Sequence, residues 1–224
     1  MARARLARAG LATRGPLDRT THAMLLRQLY MAHFESRRFR KAYDVALQAL
    51  ALRVMVDVVH QDAARAATAL GHHEDAIGHL RLAARRGPSP RRAFHHWTLG
   101  GALFLLGRHA ESAGSLDRAS RWGTTDKPLY RAHAVLARLA GGQVVPASTL
   151  KRVYDALERA PCGQGYGRFV LGELAFHAKR WDDARRHLEA FVRRTAELRP
   201  GTAIALAGEV ALANATLARM SVTN

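Results

Sequence analysis

Small and apolar residues recur along the chain at helical spacing. Between residues 70 and 90 they occupy Ala76, Leu80 and Ala83, which lie four and three positions apart and form one face of a helix. An acidic pair precedes this face, where negative charge favours a helix N-terminus. Pro88 follows it and cannot continue the helix. The pattern predicts a helix that begins after a turn at Gly71.

The same pattern returns about every 34 residues, and fixed periodicity of this kind indicates stacked helix pairs. The second helix of a pair is marked by Ala42, Ala46 and Ala49, then by Ser112, Leu116 and Ala119, then by Ala184, Leu188 and Phe191. The first helix of a pair is marked by two adjacent residues, Leu29-Tyr30, Ala63-Ala64, Leu99-Gly100 and Leu171-Gly172. Four residues after the first member of each of these dipeptides lie His33, Ala67, Leu103 and Ala175. Small residues at these places allow two helices to cross closely.

The segments LGGALFLLGRHAESAGSLDRA and LGELAFHAKRWDDARRHLEAF carry a resemblance to the tetratricopeptide repeat family. The resemblance implies an all-α fold, a right-handed superhelical solenoid of about five helix pairs with a further C-terminal helix. The predicted repeats are residues 23–56, 57–90, 93–126, 127–160 and 165–198, within a solenoid of residues 21–220. The fourth is degenerate, because its turn at Gly141-Gly142 is followed by a second helix that starts late, near Pro146.

The two ends of the chain differ from the repeats. Residues 1–20 are rich in arginine and read as a flexible basic tail, with an organelle transit peptide as the alternative. The last helix is predicted at residues 202–220. Its apolar positions Leu206, Val210, Leu217 and Met220 lack the polar outer face of a terminal repeat, so we expect a second copy or a partner to cover them.

In the family that the chain resembles, the first helix of each pair lines a concave groove. The predicted groove residues are Arg27, Gln28, Met31, Gln61, Arg65, Phe94, Trp97, Phe104, Arg131, Arg138, Tyr166, Phe169, Glu173 and Phe176. Aromatic residues and arginine are the types enriched at binding hot spots. The alternative is that the aromatics pack between neighbouring helices.

The net charge of +17 would attract nucleic acid, anionic surfaces or acidic proteins. Arginines also recur at the ends of second helices and could form a ridge for a polyanion, namely Arg85, Arg86, Arg121, Arg193 and Arg194. Cations in the last turn of a helix are also stabilised by the helix dipole, which explains the same positions without a ligand. Nucleic-acid binding is therefore an alternative that the sequence does not favour.

The sequence contains no arrangement that predicts catalysis, a cofactor or a metal site. Its only cysteine is Cys162, and its twelve histidines form neither an HExxH motif nor a zinc-binding spacing. The glycine-rich segment 163–167 follows no predicted strand and is read as a hinge between repeats. No stretch is long and apolar enough to span a membrane, and a cytoplasmic location is expected.

These features predict a protein that is not an enzyme and that serves as a protein-interaction scaffold or adaptor, with a peptide or helix of a partner in the groove. The alternative function is polyanion binding through the arginine ridge.

Overall fold

The computed structural model describes residues 2–13 and 15–222, and these fold into α-helices joined by turns, with no strand among them. The predicted all-α class is confirmed, since neighbouring helices pack in sequential pairs as in a helical repeat protein. The chain divides into two compact units, residues 1–91 and residues 92–224.

The helices of the first unit are α1 (Ala2–Leu11), α2 (Arg19–Glu35), α3 (Phe39–Ala51), α4 (Val56–Ala69) and α5 (His73–Arg86). Helix α6 (Ser89–Leu105) begins at the boundary and lies mostly in the second unit. That unit continues with α7 (His109–Trp122), α8 (Lys127–Ala140), α9 (Ala147–Arg159), a 3-10 turn (Pro161–Gly163), α10 (Gly167–His177), α11 (Trp181–Ala196), α12 (Pro200–Ala205) and α13 (Ala207–Val222). Each predicted repeat range overlaps one pair, from α2–α3 to α10–α11, and α2, α4 and α6 begin one to four residues before their ranges.

Every pair is joined by the same turn. The second residue after the first helix takes a left-handed conformation, with φ of 55° at Arg37, 78° at Gly71, 73° at Gly107, 78° at Gly142 and 57° at Lys179. The next residue donates its N–H to a carbonyl five residues back, over 2.9 Å in all five turns, and the acceptors are His33, Ala67, Leu103, Arg138 and Ala175. This is the Schellman ending of a helix. Four of the five acceptors, all but Arg138, are the positions that recur in the sequence.

In two helix pairs of the second unit, a glycine lies where the two helices of the pair cross and allows them to approach closely. A Cβ added at Gly100 would lie 2.5 Å from Cγ of Leu116, and one added at Gly172 would lie 2.5 Å from Cγ of Leu188. Ser112 on α7 also donates a 2.7 Å hydrogen bond to the carbonyl of Gly100 on α6. The periodic small residues therefore mark the points where the two helices of a pair touch.

The prediction of a flexible tail at residues 1–20 is wrong for its first half, because residues 2–11 form α1. Helix α1 packs on α2 through small residues: Ala7 is buried, and the position of a Cβ at Gly10 lies 2.9 Å from the side chain of Leu25. Arg3 adds an ion pair of 2.8 Å with Glu35 at the end of α2. Composition alone suggested a solvated tail, whereas docking on α2 stabilises the helix.

The predicted helix at residues 202–220 is two helices, α12 and α13, with Leu206 between them. The break lets α13 lie against α10 and α11, and Gly208 provides the close approach to Leu105, 2.8 Å from where its Cβ would be. None of the described helices is long and apolar enough to cross a membrane.

We predict that Gly172→Ala lowers the free energy of unfolding of the second unit. The added methyl group overlaps Leu188, and overpacking of this kind costs about 1–3 kcal/mol, which exceeds the gain of about 1 kcal/mol in helix propensity. Gly114→Ala is the matched control, because a Cβ there meets nothing within 4 Å, and we expect it to stabilise. Denaturant unfolding measures both, and equal shifts would contradict the crossing argument.

Candidate functional site

The second unit contains a cleft of about 410 Å³. Its walls come from α6, from the start of α8, from the turn between α9 and α10, and from α11. The lining residues are Phe94, Trp97, Asp126, Leu129, Tyr130, Pro161, Cys162, Gln164, Gly165, Tyr166 and Arg194. A volume of this size falls in the range of pockets that hold a small ligand or a side chain.

Four aromatic rings form the apolar part of the cleft and contact one another. The ring of Trp97 meets that of Tyr166 edge to face, with centroids 4.9 Å apart, and lies 5.7 Å from Phe94 and 6.2 Å from Tyr130. These distances are typical of favourable aromatic pairs. Phe94 is 37% exposed, and Trp97 and Tyr166 are half-buried, so the rings form a fixed surface that solvent can reach.

The glycine-rich segment after α9 places Tyr166 in this wall. A Cβ at Gly163 would lie 2.1 Å from the carbonyl oxygen of Leu157, and one at Gly167 would lie 2.4 Å from that of Cys162. Only glycine fits where backbone approaches backbone so closely. The segment is thus a tightly packed turn, and its glycines allow the chain to present Tyr166 between α6 and α8.

Tyr166 is also held from behind by the last helix. Its hydroxyl donates a hydrogen bond of 3.2 Å to Oε1 of Glu209 on α13. Burial raises the pKa of Tyr166 well above its ordinary value, and the charge of Glu209 acts in the same direction, so the phenol stays protonated and remains a donor. Helix α13 therefore fixes one wall of the cleft.

The rim of the cleft is polar. Arg194 donates from Nη1 to the carbonyl of Gln164 over 3.0 Å, which anchors its guanidinium at the rim. Burial, and then the charge of Asp126, raises the pKa of Tyr130 to about 12. Burial also raises the pKa of the Cys162 thiol, which disfavours the reactive thiolate. Arg194 thus offers hydrogen-bond donors at the rim, next to the aromatic rings that form the apolar part of the cleft.

Two carboxyl groups are buried in the second unit, one on α10 and one on α13. Burial raises the pKa of Glu209 to about 7 and that of Glu173 to about 7. One oxygen of each, Oε2 of Glu209 and Oε1 of Glu173, has no hydrogen-bond partner among the described residues. A carboxylate in such surroundings is costly, because burial removes the solvent that stabilises charge.

The structure distributes the predicted groove residues over both units. In the first unit Gln28 and Arg65 are exposed, Met31 is half-buried, and Arg27 is tied to Asp62 by a 2.6 Å ion pair. In the second, Phe94, Trp97 and Tyr166 line the cleft, Arg131 is exposed, and Arg138 pairs with Asp117. Phe176 lies under the guanidinium of Arg219, 4.5 Å from its ring centroid.

Four predicted groove residues are corrected, because Gln61, Phe104, Phe169 and Glu173 are buried and offer no surface to a partner. Phe169 packs its ring against Phe104 and Phe191, in the centre of the second unit. For these aromatics, the alternative of packing between helices is the one the structure shows.

The expectation that a second copy or a partner covers the apolar stripe of the last helix is also wrong, because the chain itself covers it. Met220 is buried, and Leu206, Val210 and Leu217 pack against the core of the second unit. Their stripe faces inward because α13 turns towards α10 and α11 after the break at Leu206. The predicted ridge arginines are all exposed, Arg85 and Arg86 in the first unit and Arg121, Arg193 and Arg194 in the second.

Sequence reasoning missed Tyr130, Leu129 and Asp126 in the cleft and placed Arg194 in a ridge only. The start of α8 lies in the degenerate fourth repeat, from which the family pattern projected Arg131 and Arg138 and not the residues that precede them. The glycines around Tyr166 were the one local sign that the chain turns tightly there.

No group of three or more His, Cys, Asp or Glu side chains that could hold a metal ion occurs in the part of the chain that the structure describes. The fold defines the class of protein, an all-α array of sequentially paired helices. No family model matches the chain, and no curated protein matches it.

We predict that Glu209→Gln raises stability increasingly as the pH rises. The carboxyl pKa is about 7 in the folded chain against an ordinary value of 4.5, so the fold binds the proton more tightly. This contribution is fully present below pH 4.5 and is lost as the pH rises through 7, a difference on the order of 3 kcal/mol. Gln keeps the acceptor for Tyr166 and carries no charge.

Unfolding of the wild type and Glu209→Gln at several pH values between 4.5 and 8 measures this difference. Tyr166→Phe is the control, because it removes the hydrogen bond but keeps the buried carboxyl, and should retain the wild-type pH dependence. A constant gap between the wild type and Glu209→Gln across this range would show that Glu209 ionises as freely as in the unfolded chain.

Proposed function

We propose that this protein is an interaction scaffold or adaptor and that the aromatic cleft of the second unit binds a peptide of a partner protein. The observation that carries the proposal is the solvent-accessible contact of Phe94, Trp97 and Tyr166 in a cleft of about 410 Å³. Aromatic surfaces held rigid before binding lose little entropy when a ligand docks.

The cleft suits a bulky apolar or aromatic side chain of the peptide. The rings supply the apolar contact, and edge-to-face pairing with Trp97 would add to it. The guanidinium at Arg194 has donors beyond the one bonded to Gln164, and these can bind a peptide carbonyl or carboxylate beside the anchor. The proposed ligand is therefore a peptide that carries a bulky apolar or aromatic residue with a hydrogen-bond acceptor next to it.

The tetratricopeptide resemblance supports this class of function, because helical repeat proteins of that kind present surfaces to partners. We further propose that the protein acts in the cytoplasm, where a chain with a single cysteine needs no disulfide. We do not assign a reaction to the cleft.

Polyanion binding is the second candidate function. The five ridge arginines are exposed, and the chain carries a net charge of +17. Binding of this kind would weaken steeply with salt, whereas binding in the aromatic cleft would persist, because apolar burial does not depend on counterions.

We expect Phe94→Ala and Trp97→Leu to weaken peptide binding by about ten- to a hundred-fold, the range of hot-spot residues. The ligands are peptides selected from a displayed random library on the wild-type protein, and calorimetry at low and high salt measures their affinity. The selected peptides should share an aromatic or large apolar residue.

The control is Trp122→Ala, since Trp122 is 48% exposed but lies outside the cleft, under the guanidinium of Arg92. It should leave peptide affinity unchanged. If the selected peptides bind Phe94→Ala and Trp97→Leu as well as the wild type, the cleft is not the peptide site.

A further inference from the structure

Docking of α1 on α2 brings cations from separate segments of the first unit near one another. The ion pair of Arg3 with Glu35 and the contact of Gly10 with Leu25 show that α1 runs antiparallel to α2. This packing lays Arg8 alongside α2, the helix that carries His33, while Arg37, Arg38 and Lys41 follow the end of that helix. We call Arg8, Arg37, Arg38 and Lys41 the N-terminal basic cluster.

His33 reports how close these charges are. Its side chain is buried near the end of α2, and its pKa is lowered first by burial and then by the positive charges of Arg8, Arg38 and Lys41. Three cations from α1, the turn and α3 thus act on one imidazole. Arg37 lies in the same turn, next to Arg38.

All four side chains of the cluster are exposed. No ion pair joins any of them to an acid of the described residues, and the nearby Glu35 is engaged by Arg3. Like charges held together without an anion repel one another, so the arrangement is one that a bound anion would stabilise.

The helix that follows the cluster strengthens the same point. Helices α5, α7 and α11 carry Glu74 and Asp75, Glu111, or Asp182 and Asp183 in their first turns, as the helix dipole favours. Helices α3 and α9 occupy the equivalent place in their pairs and have no acid in the first turn, and that of α3 carries Lys41. The first turn of α3 thus adds a cation close in sequence to Arg37 and Arg38.

The backbone at Arg37 carries a conformational cost. Its φ of 55° is left-handed, and the equivalent residue is glycine in three of the other four turns, at Gly71, Gly107 and Gly142. A non-glycine residue is less stable in this region by about 1 kcal/mol. An arginine therefore stands where glycine would give a more stable turn.

We infer that the N-terminal basic cluster binds the phosphate backbone of a nucleic acid. Arginine pairs with phosphate through two parallel N–H groups, and a cluster without base-reading side chains contacts the backbone alone. A lipid surface fits less well, because α1 uses its small-residue face on α2 and leaves Leu6 as its one exposed large apolar side chain. The inference does not rest on the peptide cleft.

The test measures binding of a short fluorescein-labelled DNA duplex of mixed sequence to the full chain by anisotropy, over a series of salt concentrations. The wild type should bind, with log affinity falling linearly with log salt. Arg37→Gly should melt at a higher temperature yet bind DNA several-fold more weakly, with the salt slope reduced by about one. Arg8→Gln should weaken binding similarly, since α1 keeps its docking face.

Lys179→Gly is the matched control. Lys179 has the same left-handed conformation, with φ of 57°, in the α10–α11 turn of the second unit, outside the cluster. Its replacement by glycine should also raise the melting temperature and should leave the affinity for DNA within about two-fold, because Lys179 is not one of the cations proposed to contact phosphate.

Two results would overturn the inference. One is equal loss of DNA affinity in Lys179→Gly and Arg37→Gly, which would assign binding to overall charge. The other is no binding of the duplex by a wild-type protein that does bind vesicles containing phosphatidylserine, which would assign the cluster to a membrane surface. If Phe94→Ala and Trp97→Leu lose peptide binding but still bind DNA, the inference that the N-terminal basic cluster binds nucleic acid is supported independently of the peptide cleft.

Discussion

The repeated left-handed turn is the constraint on which the rest of the structure depends. Each helix pair reverses direction at a residue with positive φ, and each closes with a 2.9 Å hydrogen bond to a carbonyl five residues back. This bond satisfies a helix-end carbonyl and fixes where the second helix starts. Because the turn is the same in all five pairs, the helices of each pair meet at the same positions. The small residues at those positions then allow close contact.

The close crossings in turn decide which side chains form the core and which remain accessible. At Gly100 and Gly172 a leucine of the second helix fills the space of a missing Cβ. The aromatic residues of the second unit pack around these crossings, and Phe104 and Phe169 are buried. Phe94 and Trp97 lie nearer the start of the same α6 helix, beside the turn that carries Tyr166, and remain accessible. A cleft lies there because the tight glycine-rich turn between α9 and α10 sets Tyr166 beside Trp97.

The charge of the chain takes on local meaning only after folding. Arg27 and Arg91 neutralise the buried carboxylates of Asp62 and Asp57, so part of the arginine content stabilises the first unit. The N-terminal basic cluster, in contrast, has no such partner among the described residues. Equally, Glu209 on α13 and Glu173 on α10 are buried, and burial is the largest influence on the pKa of each. The same residue types are therefore structural in one place and available for a ligand in another.

The sequence by itself determined the all-α class and the period of the helix pairs, because the 3.6-residue spacing of small and apolar residues is a local property. It also indicated Phe94, Trp97 and Tyr166 as candidate surface. Only the tertiary structure decided that α1 is a docked helix, that the stripe of Leu206, Val210 and Leu217 faces inward, and that Phe169 is core. Each of these depends on which helix lies against which face, and that is set by contacts between residues far apart in the chain. Periodicity gives the apolar face of a helix but not its partner.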